Sequence, residues 1–255
     1  MFTASHLRVP ARDRSILVGL LATIAATAWA VLWLWDASPY GRYLHHDTPS
    51  GVGTPVELAL FVVGWALMIV AMMLPTSIPL VATFGALVGR RRRPRLLVGL
   101  VILGYLATWT AVGVAAWVGD RSIHAAVDAV PWLAANSQYV LATTFVVAGL
   151  YQFSPLKYRC LDECRSPLGF VMNHWQGRSE RREAFQLGVA HGLFCVGCCW
   201  SLMLVMFAVG LGSMAWMLAI GAITAIEKNV PWGRRLARPL GVLLLLAGLS
   251  VVNGW

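Results

Sequence analysis

Apolar runs dominate the chain. Residues 16–35, 56–88, 96–118, 137–153, 185–210, 214–227 and 239–252 are almost free of charge and are separated by short polar stretches. A helix needs about 20 apolar residues to cross a bilayer, so the pattern predicts an all-α, polytopic membrane helix bundle of about seven transmembrane helices. The first run ends in Trp29, Trp33 and Trp35, an interfacial aromatic belt rather than a cleavage site, so it reads as an uncleaved transmembrane helix. The second run is too long for one straight crossing and contains Pro75 and Pro79. Proline removes a backbone donor and clashes with the preceding turn, so this second helix is expected to be kinked at Pro75/Pro79. Met68, Met72 and Met73 approach that kink.

The polar stretches read mainly as connections. Residues 36–55 hold His45, His46 and Asp47 in a loop rich in Gly, Pro and Ser, which reads as solvated. Residues 119–136 read as a second loop, with a short surface helix at 122–130 in which Asp120 and His124 are spaced to pair. Residues 210–213 suit a tight connection, and Trp255 caps the last run. Glu227 beside Lys228 reads as a pair at a helix end, where the sixth run stops. Residues 156–184 form the only sizeable polar segment, and no stretch is long enough to fold as a soluble domain. A single transmembrane domain over residues 1–255 is therefore expected.

Composition agrees with this. The 255 residues are 58% hydrophobic and 12% charged, with a net charge of +9. Such a charge can signal nucleic-acid binding, but the basic residues sit in clusters at the ends of apolar runs, which is the signature of membrane topology. With seven crossings, 18 of the 20 Lys and Arg residues fall on one side, leaving only Arg42 and Arg121 on the other. The N-terminus is then cytoplasmic and the C-terminus outside, and residues 156–184 face the cytoplasm between the fourth and fifth helices.

The candidate chemistry lies in residues 185–210, FQLGVAHGLFCVGCCWSLMLVMFAVG. With about 100° of rotation per residue and His191 at zero, Cys195 falls near 40°, Cys198 near 340°, Cys199 near 80° and Met206 near 60°. One helix face therefore carries a stripe of soft ligands. In the polar segment, Cys160 and Cys164 would lie one helical turn apart, flanked by Lys157, Arg159 and Arg165. Met72, Met73, Cys199, Cys198, Cys195, His191, Cys164 and Cys160 could thus form a ladder of metal ligands from mid-membrane to the cytoplasmic face. Thiolates and thioethers favour Cu(I) over Mg, Ca or Mn, and a Cys/His set also admits zinc.

Each of these residues also has a plain packing role open to it, since buried Cys and Met are common core residues. The sequence has no G-x-S-x-G, H-E-x-x-H or P-loop pattern, so hydrolase and kinase chemistry lack support and an enzyme is not the favoured reading. The leading expectation is a protein that binds and transfers or transports a soft transition metal, copper first. Its partners would be the lipid bilayer, the metal ion, and a metal chaperone or other membrane subunit. Two alternatives stay open: a transmembrane thiol–disulfide conduit, and a non-catalytic assembly or scaffold subunit.

Three stretches, AMMLPT at 71–76, YQFSPLKYRCLDECRSPL at 151–168 and HGLFCVGCCWSLML at 191–204, together resemble a bacterial family of unknown function described as predicted metal-binding integral membrane proteins. The resemblance covers roughly residues 56–252. It implies a multi-pass protein of the bacterial inner membrane in which Met72, Met73, Cys160, Cys164, His191, Cys195, Cys198 and Cys199 are the ligands.

Overall fold

A computed structural model describes residues 11–38, 54–209 and 213–253. The His45/His46/Asp47 loop, residues 210–212 of the tight connection, and Trp255 lie outside them. Among the described residues the chain is all helical. The order is α1 (Ala11–Asp36), α2 (Thr54–Thr76), α3 (Ile78–Val88), α4 (Pro94–Ala129), α5 (Pro131–Ala135), α6 (Gln138–Tyr151), α7 (Pro155–Arg165), α8 (Pro167–His174), α9 (Glu180–Val209), α10 (Met214–Asn229), a 3₁₀ turn (Gly233–Leu236) and α11 (Ala237–Val252).

Among the described residues, five helical segments are long and apolar enough to cross a membrane: Ser15–Asp36, Pro55–Thr76, Pro94–Ala129, Glu180–Ala208 and Gly233–Val252. A sixth results if α6 and α7, bent by 64° at their junction, count as one broken span. The expected sixth run, now α10, is only 16 residues long and falls below that length. The expected loop at 119–136 is largely helix, because α4 continues without a break for 36 residues, about 54 Å at 1.5 Å per residue. The sequence signal was missed because residues 119–129 contain no Gly or Pro after Gly119, and their polar side chains suit an exposed helix face. Arg121 on this extension bonds Glu57 of α2 at 3.1 Å, while His124 and Asp120 pair at 3.5 Å as their spacing suggests.

The two prolines do more than bend the second helix. Pro75 has no N–H for the carbonyl of Ala71, and the Trp29 indole of α1 donates to that oxygen instead, at 3.1 Å. Helix α2 ends at Thr76 and α3 begins at Ile78, with Pro79 near its N-terminus, where a missing donor costs nothing. At the break, the N–H of Ser77 shifts to Leu74 O, and the carbonyl of Met73 is satisfied by the hydroxyls of Thr76 (2.8 Å) and Ser77 (3.4 Å). The polar backbone and side chains of this break face the bundle interior.

Small residues set the closest helix contacts. On α9, Gly188 and Gly192 form a G-x-x-x-G face against Gly104 and Thr108 of α4. A Cβ on Gly188 would stand 2.0 Å from Val101 O, and one on Gly104 2.2 Å from Phe185 O, so the two backbones touch. Helices α6 and α11 pair in the same manner through Gly149, Gly241 and Gly248.

The polar segment is not a free connection. Helix α8 inserts Phe170 and Val171 into a cluster with Leu80 and Phe84 of α3, Leu97 and Val101 of α4 and Leu187 of α9. Helix α7 folds back from α6 along α9, contributing Cys160 and Leu161 to the main buried cluster. That cluster also holds Met68, Met72 and Met73 of α2 and Cys195, Cys198, Cys199, Met203 and Met206 of α9.

Candidate metal centre

The α9 stripe faces the interior throughout: His191, Cys195, Cys198 and Cys199 are all buried, and all five cysteines of the chain are free thiols. Cys198 and Cys199 donate their S–H groups to the carbonyl of Cys195, at 3.1 and 3.0 Å. Cys195 itself receives the Lys228 ammonium of α10 at 2.8 Å and lies 3.1 Å from the Tyr105 hydroxyl of α4. Lys228 also donates to Thr76 at 3.2 Å, tying the thiol directly to the α2/α3 break. One residue further along that break, Ser77 pairs with His191 Nε2 at 3.1 Å. The imidazole lies against Tyr105 and has the edge of Phe170 near it, and its Nδ1 is buried without a partner.

Helix α7 closes the other side. Cys160 lies so near Gly197 that a Cβ there would come within 2.5 Å of its sulfur, and Cys164 interacts with Cys198 side chain to side chain. Cys160 is buried rather than exposed on the cytoplasmic face, so the expected surface pair is folded against the α9 thiols. The 64° bend at residues 152–154 produces this, since Pro155 starts a new helix and Ser154 caps it.

A buried ion network lies beside the thiols. Lys157 of α7 pairs with Glu227 of α10 at 2.9 Å, with side-chain exposures of 0% and 1%. The same ammonium donates to Cys198 O at 3.1 Å, fixing the network to the cysteine turn. Arg165 donates to the carbonyls of Glu227 and Pro231, where α10 ends. Glu227 and Lys228 therefore do not form the helix-end pair expected from their adjacency; each reaches a different buried partner. The available signal was Glu227 and Lys228 at the end of an otherwise apolar run, where a charge is costly unless it finds a partner, whereas Lys157 lies in a stretch already rich in charge and nothing in the sequence singled it out.

The arrangement joins some of the expected ligands and leaves others apart. Cys164, Cys195, Cys198 and Cys199 converge on one region. His191 turns to Ser77, and Met72 packs against Gly221 of α10 within the same buried cluster. Among the described residues, no three His, Cys, Asp or Glu side chains are grouped closely enough to hold a metal ion without moving. Lys157, Glu227, Lys228, Tyr105, Thr76 and Ser77 complete the environment and were not among the expected site residues.

No curated protein and no solved structure matches the chain. A family model described as a copper chaperone, PpoB2, matches residues 62–251, which include α3 to α10, nearly all of α11 and most of α2. This gives a copper description to a resemblance that the motifs alone could only make metal-related. The chain belongs to the PpoB2 copper chaperone family.

Proposed function

We propose that this protein binds Cu(I) within a membrane-embedded helix bundle and passes it to a recipient, the thiols of Cys164, Cys195 and Cys198 making the first ligands. The observation that carries the reading is the convergence of Cys164 and Cys198 beside Cys195, with the Lys228 ammonium 2.8 Å from Cys195. Copper is the cargo here. The donor set fits it: thiolates are soft, and Cu(I) accepts two or three of them without a demanding geometry. With two of the three thiols ionised, the ligands and one Cu(I) carry a single negative charge, and Lys228 supplies a compensating positive charge where water is scarce.

Of these three, the Cys198 thiol is now bonded to Cys195 O and would turn about χ1 to meet the ion. Cys199, Cys160, His191, Met72 and Met73 would then form further stations on the way in or out. A single membrane domain, an N-terminus in the cytoplasm, a C-terminus outside, and seven crossings, the odd number those termini require, complete this reading; the five apolar helices among the described residues and the distribution of Lys and Arg support it.

The approach of Cys164 to Cys198 also favours a second reading, a thiol–disulfide couple. Anaerobic metal analysis of detergent-purified protein separates the two. Stoichiometric copper in the wild type, lost in C195S/C198S and retained over zinc, supports copper binding. A reversible Cys164–Cys198 disulfide with no retained copper supports the redox couple and sinks the copper reading.

A further inference from the structure

At the end of the α6/α11 pair, the start of α11 and the outer side of α7 enclose a cavity of about 560 Å³ lined by Tyr158, Arg234, Arg235 and Arg238. Among the described residues its lining holds three arginines and no carboxylate. Arg234 lies over the Tyr158 ring at 5.1 Å and reaches out to Asp162 at 3.2 Å, which leaves Arg235 and Arg238 with no partner among the described residues. Tyr158 lines the cavity with its ring, since its hydroxyl is buried away from the open space.

The apolar surface below the cavity narrows the choice of acceptor. Taking Arg238 as zero on α11, Val242 falls near 40°, Leu246 near 80° and Leu249 near 20° at about 100° per residue. These three side chains are 49%, 57% and 57% exposed, so one uninterrupted apolar stripe runs down the helix from the arginines. Trp232, 55% exposed, stands at the top, as an interfacial tryptophan does. A free phosphate would use the arginines and ignore the stripe; a phospholipid uses both.

We propose that this cavity binds the headgroup of an anionic phospholipid, its phosphate held by Arg235 and Arg238, and its acyl chains lying along Val242, Leu246 and Leu249. Helix α7 forms one wall of the cavity and also carries Cys160 and Cys164, so the headgroup braces the helix that closes the thiol cluster. The proposal rests on the reading of the chain as membrane-embedded.

The test uses the full chain, purified in mild detergent and mixed with phosphatidylglycerol, phosphatidylcholine or inorganic phosphate, with bound lipid counted by native mass spectrometry. The expected result is retention of phosphatidylglycerol over phosphatidylcholine, reduced at least about tenfold in R235Q/R238Q, with no displacement by inorganic phosphate. R91Q/R92Q, which removes equal charge from the connection between α3 and α4, should retain the lipid. Equal retention of both lipids, equal loss in R91Q/R92Q, or full displacement by inorganic phosphate would overturn the proposal. Resistance of each variant to alkaline carbonate extraction, measured on membranes beforehand, reports membrane embedding separately. If even the wild type is extracted, the membrane reading itself fails.

Discussion

Lys228 is buried, and among the described residues no carboxylate meets its charge; its partners are a thiol and a hydroxyl. In the copper-bound state proposed above, it would balance the thiolates. K228M should therefore weaken Cu(I) binding by about tenfold or more, equivalent to about 1.4 kcal/mol or above, while K228R restores part of the loss. Competition against a Cu(I) chelator measures this, and unchanged affinity in K228M would remove Lys228 from the site. The cysteines were legible because helical periodicity places them on one face. Lys228 was not, since its burial depends on how α10 packs against the α2/α3 break, and adjacency to Glu227 suggested a simpler pair. Trp29 is a similar case: its bond to Ala71 O follows from Pro75, but only the packing of α1 on α2 reveals it. W29F should cost roughly 1–3 kcal/mol by leaving that carbonyl unmatched, seen as a lower thermal midpoint in detergent.

At the scale of elements, two contacts hold the site in place. The first is the backbone approach of α4 to α9, which positions Tyr105 beside Cys195. G188L cannot be accommodated, because even a Cβ would stand 2.0 Å from Val101 O, and the helices must separate. A loss of about 1–3 kcal/mol or more is expected, together with solvent labelling of Cys195. The second contact is the Lys157–Glu227 pair, which fastens α7 to α10. K157M or E227L alone leaves a buried charge uncompensated and should destabilise by about 3–5 kcal/mol, whereas K157M/E227L together should recover most of the loss. Additive effects in that cycle would mean that the two side chains are not coupled. The helices themselves were largely visible in the apolar runs. Their exact ends were not: α4 overran its apolar stretch by 11 residues, because exposed polar residues continue a helix as readily as they form a loop. The Gly188/Gly192 face was also present in the sequence, but the neighbouring His and Cys residues drew the reading toward ligands.

At the scale of the molecule, five apolar helices and one bent pair among the described residues pack around the thiol cluster, with a helix break on one side and the bent-over α7 on the other. The sequence alone placed Cys160 and Cys164 on the cytoplasmic surface, since a polar segment after an apolar run reads as solvent-exposed. Its small apolar component, Leu161 with Cys160 and then Phe170 with Val171, is enough to bury both short helices against the bundle. What moved the site inward was therefore tertiary packing of a weakly amphipathic segment, which periodicity over so few residues does not reveal. The copper description of the family and the soft donors of α9 point the same way, which makes the identity of the atoms that touch the metal decisive. Copper K-edge X-ray absorption of the anaerobically loaded full chain measures them directly. The proposed thiol site gives reduced copper in an all-sulfur shell of two or three donors, with sulfur ligation lost in C195S/C198S; a shell of nitrogen and oxygen donors, unchanged in that variant, rules that site out.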